Sequence, residues 1–341
     1  MSRQRLTVVL SQAQGKDPRK RALEEALTAA LIMEPGLDVS VIPYLYDLGP
    51  DHTGRLFLEG ISGDLVVLAW MFPRAAFWVL DRDGIKGHWG ETQLKPADAD
   101  DEEDDGGEPE PPQGIGALDV PDRHIYCLDL RDFANHQPYL EEIRRIAEEC
   151  QQRRAEKQLA QAQPSLVQLG SLVNGNGKSD EKPAFTADQL LQQPNRRWYP
   201  VIDYSRCTNC MECIDFCLFG VYGVDSLDRI FVENQDSCKK GCPACSRVCP
   251  EQAIIFPDYK TPAIAGAPVG AITGLKIDLS KLFGGADALH IAAQERDREL
   301  VRDGREAVGL TMGIPKRQAD KPQGPKDDLD KLMDELDELA I

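Results

Sequence analysis

The chain has 341 residues, a length that allows two or three domains, and 42% of them are hydrophobic. Its formal net charge of -18 argues against a nucleic-acid-binding protein, since phosphate recognition requires a basic face. Two segments carry most of this charge: residues 98–110 hold nine acidic and no basic residues, and residues 326–338 hold seven acidic residues and two lysines. We expect no membrane span and no signal peptide, and hence a cytoplasmic protein, because every apolar run is far shorter than the roughly 20 residues of a spanning helix.

Residues 1–150 alternate between strand and helix patterns. Short apolar, β-branched runs predict strands at Leu6–Leu10, Val39–Ile42, Leu65–Trp70 and Ile125–Leu130. Helical spacing of apolar residues predicts one helix through Leu23, Leu27 and Leu31, and another over Tyr139–Cys150. This alternation predicts an α/β domain of three layers, with a parallel sheet between helices in a flavodoxin-like or Rossmann-like arrangement. The first acidic run then lies in a surface loop insertion at residues 96–122.

The remaining chain divides by composition into four parts. Residues 151–197 are rich in Gln, Asn, Ser and Lys and predict a linker, and residues 198–260 hold eight of the ten cysteines. Residues 261–310 predict irregular chain and a helix from Asp287 to about Asp303, ended by Gly304. Residues 311–341 predict a disordered acidic tail with a short amphipathic helix. That helix could dock into a groove of a partner protein, or it could be a solvated tail.

The eight clustered cysteines form two runs with nearly the same spacing. The first run is Cys207, Cys210, Cys213 and Cys217; the second is Cys238, Cys242, Cys245 and Cys249, followed by Pro250. Apolar strand-like segments flank each run, so a strand, a cysteine loop, a short helix and a strand occur twice. Each half is too small to bury a core alone, whereas two halves that enclose metal clusters could fold together.

This segment resembles the bacterial-type ferredoxins that hold two [4Fe–4S] clusters, over about a fifth of the chain. The resemblance implies a pseudo-twofold α+β fold in which each run lends its last cysteine to the other cluster. One cluster would then take Cys207, Cys210, Cys213 and Cys249, and the other Cys217, Cys238, Cys242 and Cys245. The pattern departs from the family at two places. Leu218 replaces the usual proline, and three residues separate Cys238 from Cys242, where Gly241 could absorb a tight turn.

Two other readings of the cysteines fit the pattern less well. Structural zinc sites commonly use two separated CxxC pairs, often with histidine, and residues 198–260 contain no histidine. Disulfides are rare in the expected compartment. Cys127, in a predicted strand, and Cys150, at a helix end, lie far from the two runs and predict buried packing residues.

Such clusters exchange single electrons, so the sequence predicts an electron carrier between redox protein partners, without a catalytic residue. Residues 198–260 hold six Lys or Arg against nine Asp or Glu, so we expect low potentials, on the order of -0.4 V. Two alternatives remain open. The chain could be a module of an iron–sulfur oxidoreductase that uses flavin or nucleotide, or an iron–sulfur redox sensor.

The flavin or nucleotide alternative depends on the loop after the first predicted strand. Ser11, Gly15 and Lys16 stand between that strand and the first helix, where flavodoxin-like and P-loop folds hold phosphate. The Walker pattern is incomplete, because Leu10 and Asp17 occupy places that require glycine and Ser or Thr. An ordinary polar loop explains the same residues.

Overall fold

The computed structural model describes residues 5–94, 113–161, 194–268 and 286–313. The first two ranges form the α/β unit, which contains a five-stranded parallel sheet in the order β2-β1-β3-β5-β4. Its strands are β1 Leu6–Ser11, β2 Leu37–Ile42, β3 Leu65–Ala69, β4 His88–Trp89 and β5 His124–Asp129. Its helices are α1 Pro18–Ile32, α2 Thr53–Glu59, α3 Pro73–Arg82 and α4 Gln137–Gln161.

Local sequence signals explain the first helix and the central strand. Asp17 caps α1 by accepting a hydrogen bond from the Arg19 amide at 2.9 Å, and Pro18 occupies the first turn, where its missing N–H costs nothing. In β3 all five residues are buried, because the parallel strand is covered on both faces.

Alternate strand residues face two separate cores, one on each side of the sheet. On one face Val8, Val66 and Leu128 pack with apolar residues of α1 and α4. On the other, Val9 and Val67 pack with α3. The predicted parallel sheet between helices is therefore confirmed. The first three strands have the 2-1-3 order of flavodoxin-like folds. The order then differs, because β5 pairs with β3, and the two-residue β4 pairs with β5 at the edge of the sheet.

Residues 198–260, called the cysteine unit, contain two similar halves. One half consists of β6 Val201–Ile202, α5 Glu212–Phe216 and β7 Tyr222–Val224; the other consists of β8 Ile230–Val232, α6 Ala244–Val248 and β9 Ile254–Ile255. The outer strands β6 and β9 pair antiparallel, and so do the inner strands β7 and β8. The repeated order of strand, loop, helix and strand expected from the sequence is thus present.

The two units share one apolar core. Tyr199, Val201 and Ile255 of the cysteine unit belong to the cluster that covers the α3 face of the sheet. The rings of Tyr46 and Tyr199 lie 4.3 Å apart, and the Tyr199 amide and hydroxyl hydrogen-bond to Tyr46 at 2.8 and 3.0 Å. The cysteine unit therefore packs against the sheet as part of its second covering layer.

Several boundaries differ from the sequence-based expectations. Helix α4 continues to Gln161, into the segment expected to be a linker, because its helical pattern does not end at Cys150. Part of the expected insertion, Gly114–Gly116, pairs with backbone of the cysteine unit. Residues 96–112 of that insertion, residues 162–193 of the linker and most of the tail, with its amphipathic helix, lie outside the described residues.

In the described part of the chain after the cysteine unit, residues 261–268 and 286–313, two helices occur: α7 Pro262–Ala265 and α8 Ala286–Arg302. Helix α8 matches the expected helix, and Gly304 beyond its end has a φ of 74°. Within the described residues, no helix combines the length and the apolar character needed to cross a membrane.

Candidate metal centre

The eight thiols form two groups of four, and each group combines three cysteines of one run with the last cysteine of the other run. Burial raises the pKa of the Cys213 thiol, and the sulfurs of Cys249, Cys207 and Cys210 raise it further. We call these four the first cysteine group. Burial likewise raises the pKa of Cys245, and Cys217, Cys238 and Cys242 add to this effect; these four are the second cysteine group. The same sets of four are the ligand sets that the family resemblance implies, and their ligand role stays a prediction.

The second cysteine group surrounds a small cavity. All four cysteines of the group line this space, and most of the other lining residues are apolar, such as Phe216 and Val221. The hydroxyl of Tyr222, a buried residue that also lines the cavity, donates to the Cys245 sulfur at 3.0 Å. Four soft sulfur donors around one apolar space form a donor set that suits an iron–sulfur cluster.

Backbone amides donate to the last cysteine of each run. Cys217 accepts from the N–H groups of Phe219, Gly220 and Val221. Cys249 accepts from Ala253 at 3.3 Å, and a second amide, that of Glu251, also lowers its pKa. Such bonds disperse negative charge on a thiolate and raise the potential of a bound cluster.

Left-handed residues shape the loops at equivalent places in the two halves. Gly220 and Gln252, each three residues after the last cysteine of a run, have φ values of 69° and 52°. Asn209 and Gly241, each just before the second cysteine of a run, have φ values of 59° and 88°. The extra residue of the second run is therefore accommodated by a turn that glycine adopts without strain.

The protein alone favours neutral thiols at these positions. Burial is the largest cause of the raised pKa of Cys242 and of Cys249, each to about 12. A bound metal must displace these protons, so cluster binding is coupled to proton release. Among the described residues, no three His, Cys, Asp or Glu side chains lie close enough together to bind a single metal ion. A cubane needs no such convergence, since each thiolate binds a different iron.

The segment Gly114–Gly116 covers the chain beside the first cysteine group. Its three amides donate to the carbonyls of Ser205, Cys207 and Tyr204 at 2.7, 2.8 and 2.9 Å. A Cβ on Gly114 would lie 2.2 Å from the Ser205 carbonyl oxygen, so this close approach requires glycine. This contact was not predicted from the sequence, in which the adjacent Gly-Ile-Gly was the available signal.

Two arginines near the cysteine groups were also missed. Arg74, at the start of α3, donates to Asp203 Oδ2 and to the Gln252 carbonyl, both at 2.6 Å. Burial, as the largest cause, lowers the pKa of the Arg74 guanidinium, and its contact with Asp203 opposes this shift. Arg296 of α8 lines the cavity of the second cysteine group. Neither residue has a local signal in the sequence, because each is more than 40 residues from the cysteines that it approaches.

Only part of the loop suggested for phosphate or flavin binding is accessible to a ligand. Ser11 is fully buried, and its hydroxyl accepts from the Leu45 amide at 2.8 Å. Gly15 and Lys16 line a separate cavity of about 870 Å³ at the carboxyl edge of β1 and β2. The buried carboxylate of Glu24 accepts the Ala13 amide at 2.6 Å, so a fixed negative charge already uses one N–H of this loop.

The two remaining cysteines lie in the α/β unit. Cys127 of β5 is 1% exposed and Cys150 of α4 is fully buried, as expected for packing residues. Burial raises the pKa of both thiols.

Comparison with known proteins supports a ferredoxin-type region in this chain. The chain is 52% identical over 82 residues to an uncharacterized ferredoxin of Methanocaldococcus jannaschii. The match covers 24% of this chain and 55% of the relative, so the chain spans about half the length of the curated relative. No family model matches the chain. No solved structure matches it either.

Proposed function

We propose that this protein is a one-electron carrier that holds two [4Fe–4S] clusters. Cys207, Cys210, Cys213 and Cys249 would bind one cluster, and Cys217, Cys238, Cys242 and Cys245 the other. The observation that carries the proposal is the cavity of the second cysteine group, which Cys217, the last cysteine of the first run, lines together with Cys238, Cys242 and Cys245 of the second run. The homologous ferredoxin supports an iron–sulfur role for the same chain.

The described residues fit this role by binding and shielding. Thiolates of each group hold one cluster, and the bound clusters supply reversible one-electron chemistry. The amides around Cys217 and Cys249 stabilise negative charge on sulfur. Apolar residues, including Ile202, Ile230 and Ile254, pack with the cysteines and keep water from the groups.

The α/β unit would act as a rigid docking part of the carrier. The shared core at Tyr199 and the ion pair between Arg74 and Asp203 fix the cysteine unit against the sheet. A redox partner that recognises the α/β unit would therefore meet the clusters at a fixed distance. Cytoplasmic location, and docking through the acidic C-terminal segment, remain parts of this proposal.

An anaerobic redox titration tests the proposal. Protein purified without oxygen should show cluster absorbance that bleaches on reduction, with two one-electron midpoints followed by EPR. Both should lie at negative potentials, on the order of -0.4 V. The Cys150→Ala variant is the control and should titrate as the parent does. Protein that binds iron and sulfide but accepts no electron would refute the carrier role.

The cavity at the edge of β1 and β2 favours a second candidate, a flavin- or nucleotide-dependent oxidoreductase module. Its volume of about 870 Å³ lies within the range of small-molecule sites, and Lys16, Arg21 and Arg196 line it. Equilibrium dialysis with FMN, FAD and ATP decides this candidate. Saturable binding that is weakened by Lys16→Ala would support it, and retention of none of the three would exclude it.

A further inference from the structure

Helix α8, beyond the cysteine unit, covers the second cysteine group. Leu289 and Ala292 of this helix join Phe216, Cys242 and Val248 in one apolar cluster. The cluster therefore combines residues of α5, α6 and α8, and it places the face of α8 that carries Arg296 beside the cavity of this group.

The Arg296 side chain is a buried cation at this cavity. It is 1% exposed, and its guanidinium carbon lies 4.5 Å from the ring centre of Phe216. Its Nη atoms donate to the carbonyls of Met312, at 3.0 Å, and Gly309 at the end of the described chain. Arginine keeps its charge in proteins, and a buried charge is costly unless other groups compensate it.

Most of the charged groups near this cavity form ion pairs with one another. Glu295 pairs with Arg247 at 2.8 Å and Glu299 pairs with Arg302. Lys239 also lines the cavity, but its side chain is 32% exposed and pairs with Asp303 at 2.6 Å. Asp297, 3.1 Å from the Arg296 guanidinium, is the one counter-charge in direct contact with it among these groups.

We propose that Arg296 raises the reduction potential of the cluster held by the second cysteine group through the charge of its guanidinium. This inference rests on the proposed function. Reduction adds one negative charge to the cluster. A fixed guanidinium at the wall of an apolar cavity therefore stabilises the reduced cluster more than the oxidised cluster. Helix α8 would thus set the electron affinity of one cluster and leave the other unchanged.

The test compares three single variants in EPR-monitored redox titrations of the full chain. Arg296→Gln should lower one midpoint, so that the ratio of reduced to oxidised cluster falls about tenfold at a fixed potential, which is 59 mV for one electron. Arg296→Lys keeps the charge and should retain most of the parent potential. Arg298→Gln removes an exposed charge two residues away and should change neither midpoint.

Asp297→Asn provides a test with the opposite sign. Removing the carboxylate beside Arg296 should raise the same midpoint, and this variant stays informative if Arg296→Gln does not retain its cluster. Equal shifts in Arg296→Gln and Arg296→Lys, shifts of both midpoints together, or no shift in Arg296→Gln and Asp297→Asn would each overturn the inference. Failure of the parent protein to assemble clusters would instead refute the proposed function.

Discussion

The α/β unit and the cysteine unit are held together in different ways. Four of the five strands in the α/β unit have five or six residues, and in Leu65–Ala69 all five residues are buried; its helices have up to 25 residues. The cysteine unit has strands of two or three residues and two five-residue helices, too short to be stable alone. Its buried core includes Cys213, Cys245 and Cys249 themselves. One unit therefore folds by apolar burial, whereas we expect the other to require bound metal in order to fold.

The largest expected effect comes from two double variants that remove the same number of thiols. Cys213→Ala with Cys249→Ala removes two ligands of the first cysteine group and should leave one cluster, about four irons per chain. Cys213→Ala with Cys217→Ala removes one ligand from each group and should leave neither cluster intact. Iron and sulfide analysis measures both.

The outcome distinguishes crossed from uncrossed ligation. Were each run to bind its own cluster, the second double variant would retain about four irons and the first would retain none. Cys150→Ala is the matched control, because it removes a buried thiol of the α/β unit and should keep about eight irons.

Iron removal should affect the two units unequally. After anaerobic chelation, amide hydrogen exchange should accelerate strongly at Glu212–Phe216 and Ala244–Val248, since cluster binding contributes their folding free energy. Amides of β1 and β3 should keep their protection, because apolar burial stabilises the sheet. Equal acceleration in both units, or none in the cysteine unit, would contradict the contrast between them.

A smaller effect is expected from the ion pair that joins the units. Arg74→Met leaves Asp203, whose side chain is 2% exposed, without its partner at 2.6 Å, and should lower the free energy of unfolding by about 3 kcal/mol. Adding Asp203→Asn should recover part of this loss. Arg5→Met is the control, because its pair with Asp38 is more than half exposed and should contribute under about 1 kcal/mol. A denaturant titration that shows equal losses for Arg74→Met and Arg5→Met would argue against a rigid junction.

The smallest effect concerns pH. Burial, as the largest cause, raises the pKa of Asp47 to about 6, although the Arg197 amide and Gln14 donate to it at 2.9 and 2.8 Å. Since the unfolded pKa is about 4, the folded protein holds this proton more tightly, and the contribution of Asp47 to stability decreases as pH rises from about 4 to 6. Asp47→Asn should remove this slope from the free energy of unfolding. Asp51→Asn, at an exposed residue, should keep the slope.

Much of the sheet could be predicted because its signals are local. The four longer strands are apolar, β-branched runs, and Leu23, Leu27 and Leu31 mark α1 by their spacing. Helix α3 was missed because Ala75–Asp81 are all buried, which removes the polar face that a helical pattern needs. Strand β4 has two exposed residues and no pattern to read.

The candidate site was likewise predictable only where its signals are local in the sequence. The spacing of the cysteines is local and identified all eight candidate ligands from the sequence. The contacts that distinguish the two groups, Gly114–Gly116 at Cys207 and Arg296 at the second cavity, join segments about 50 to 90 residues apart. Long-range packing of this kind leaves no periodic trace in a single sequence.

Metal and sulfide analysis of protein prepared entirely without oxygen tests the central claim most directly. Two cubanes predict about eight irons and eight inorganic sulfides per chain, without stoichiometric zinc. Zinc in place of iron, or colourless protein without sulfide, would contradict the account.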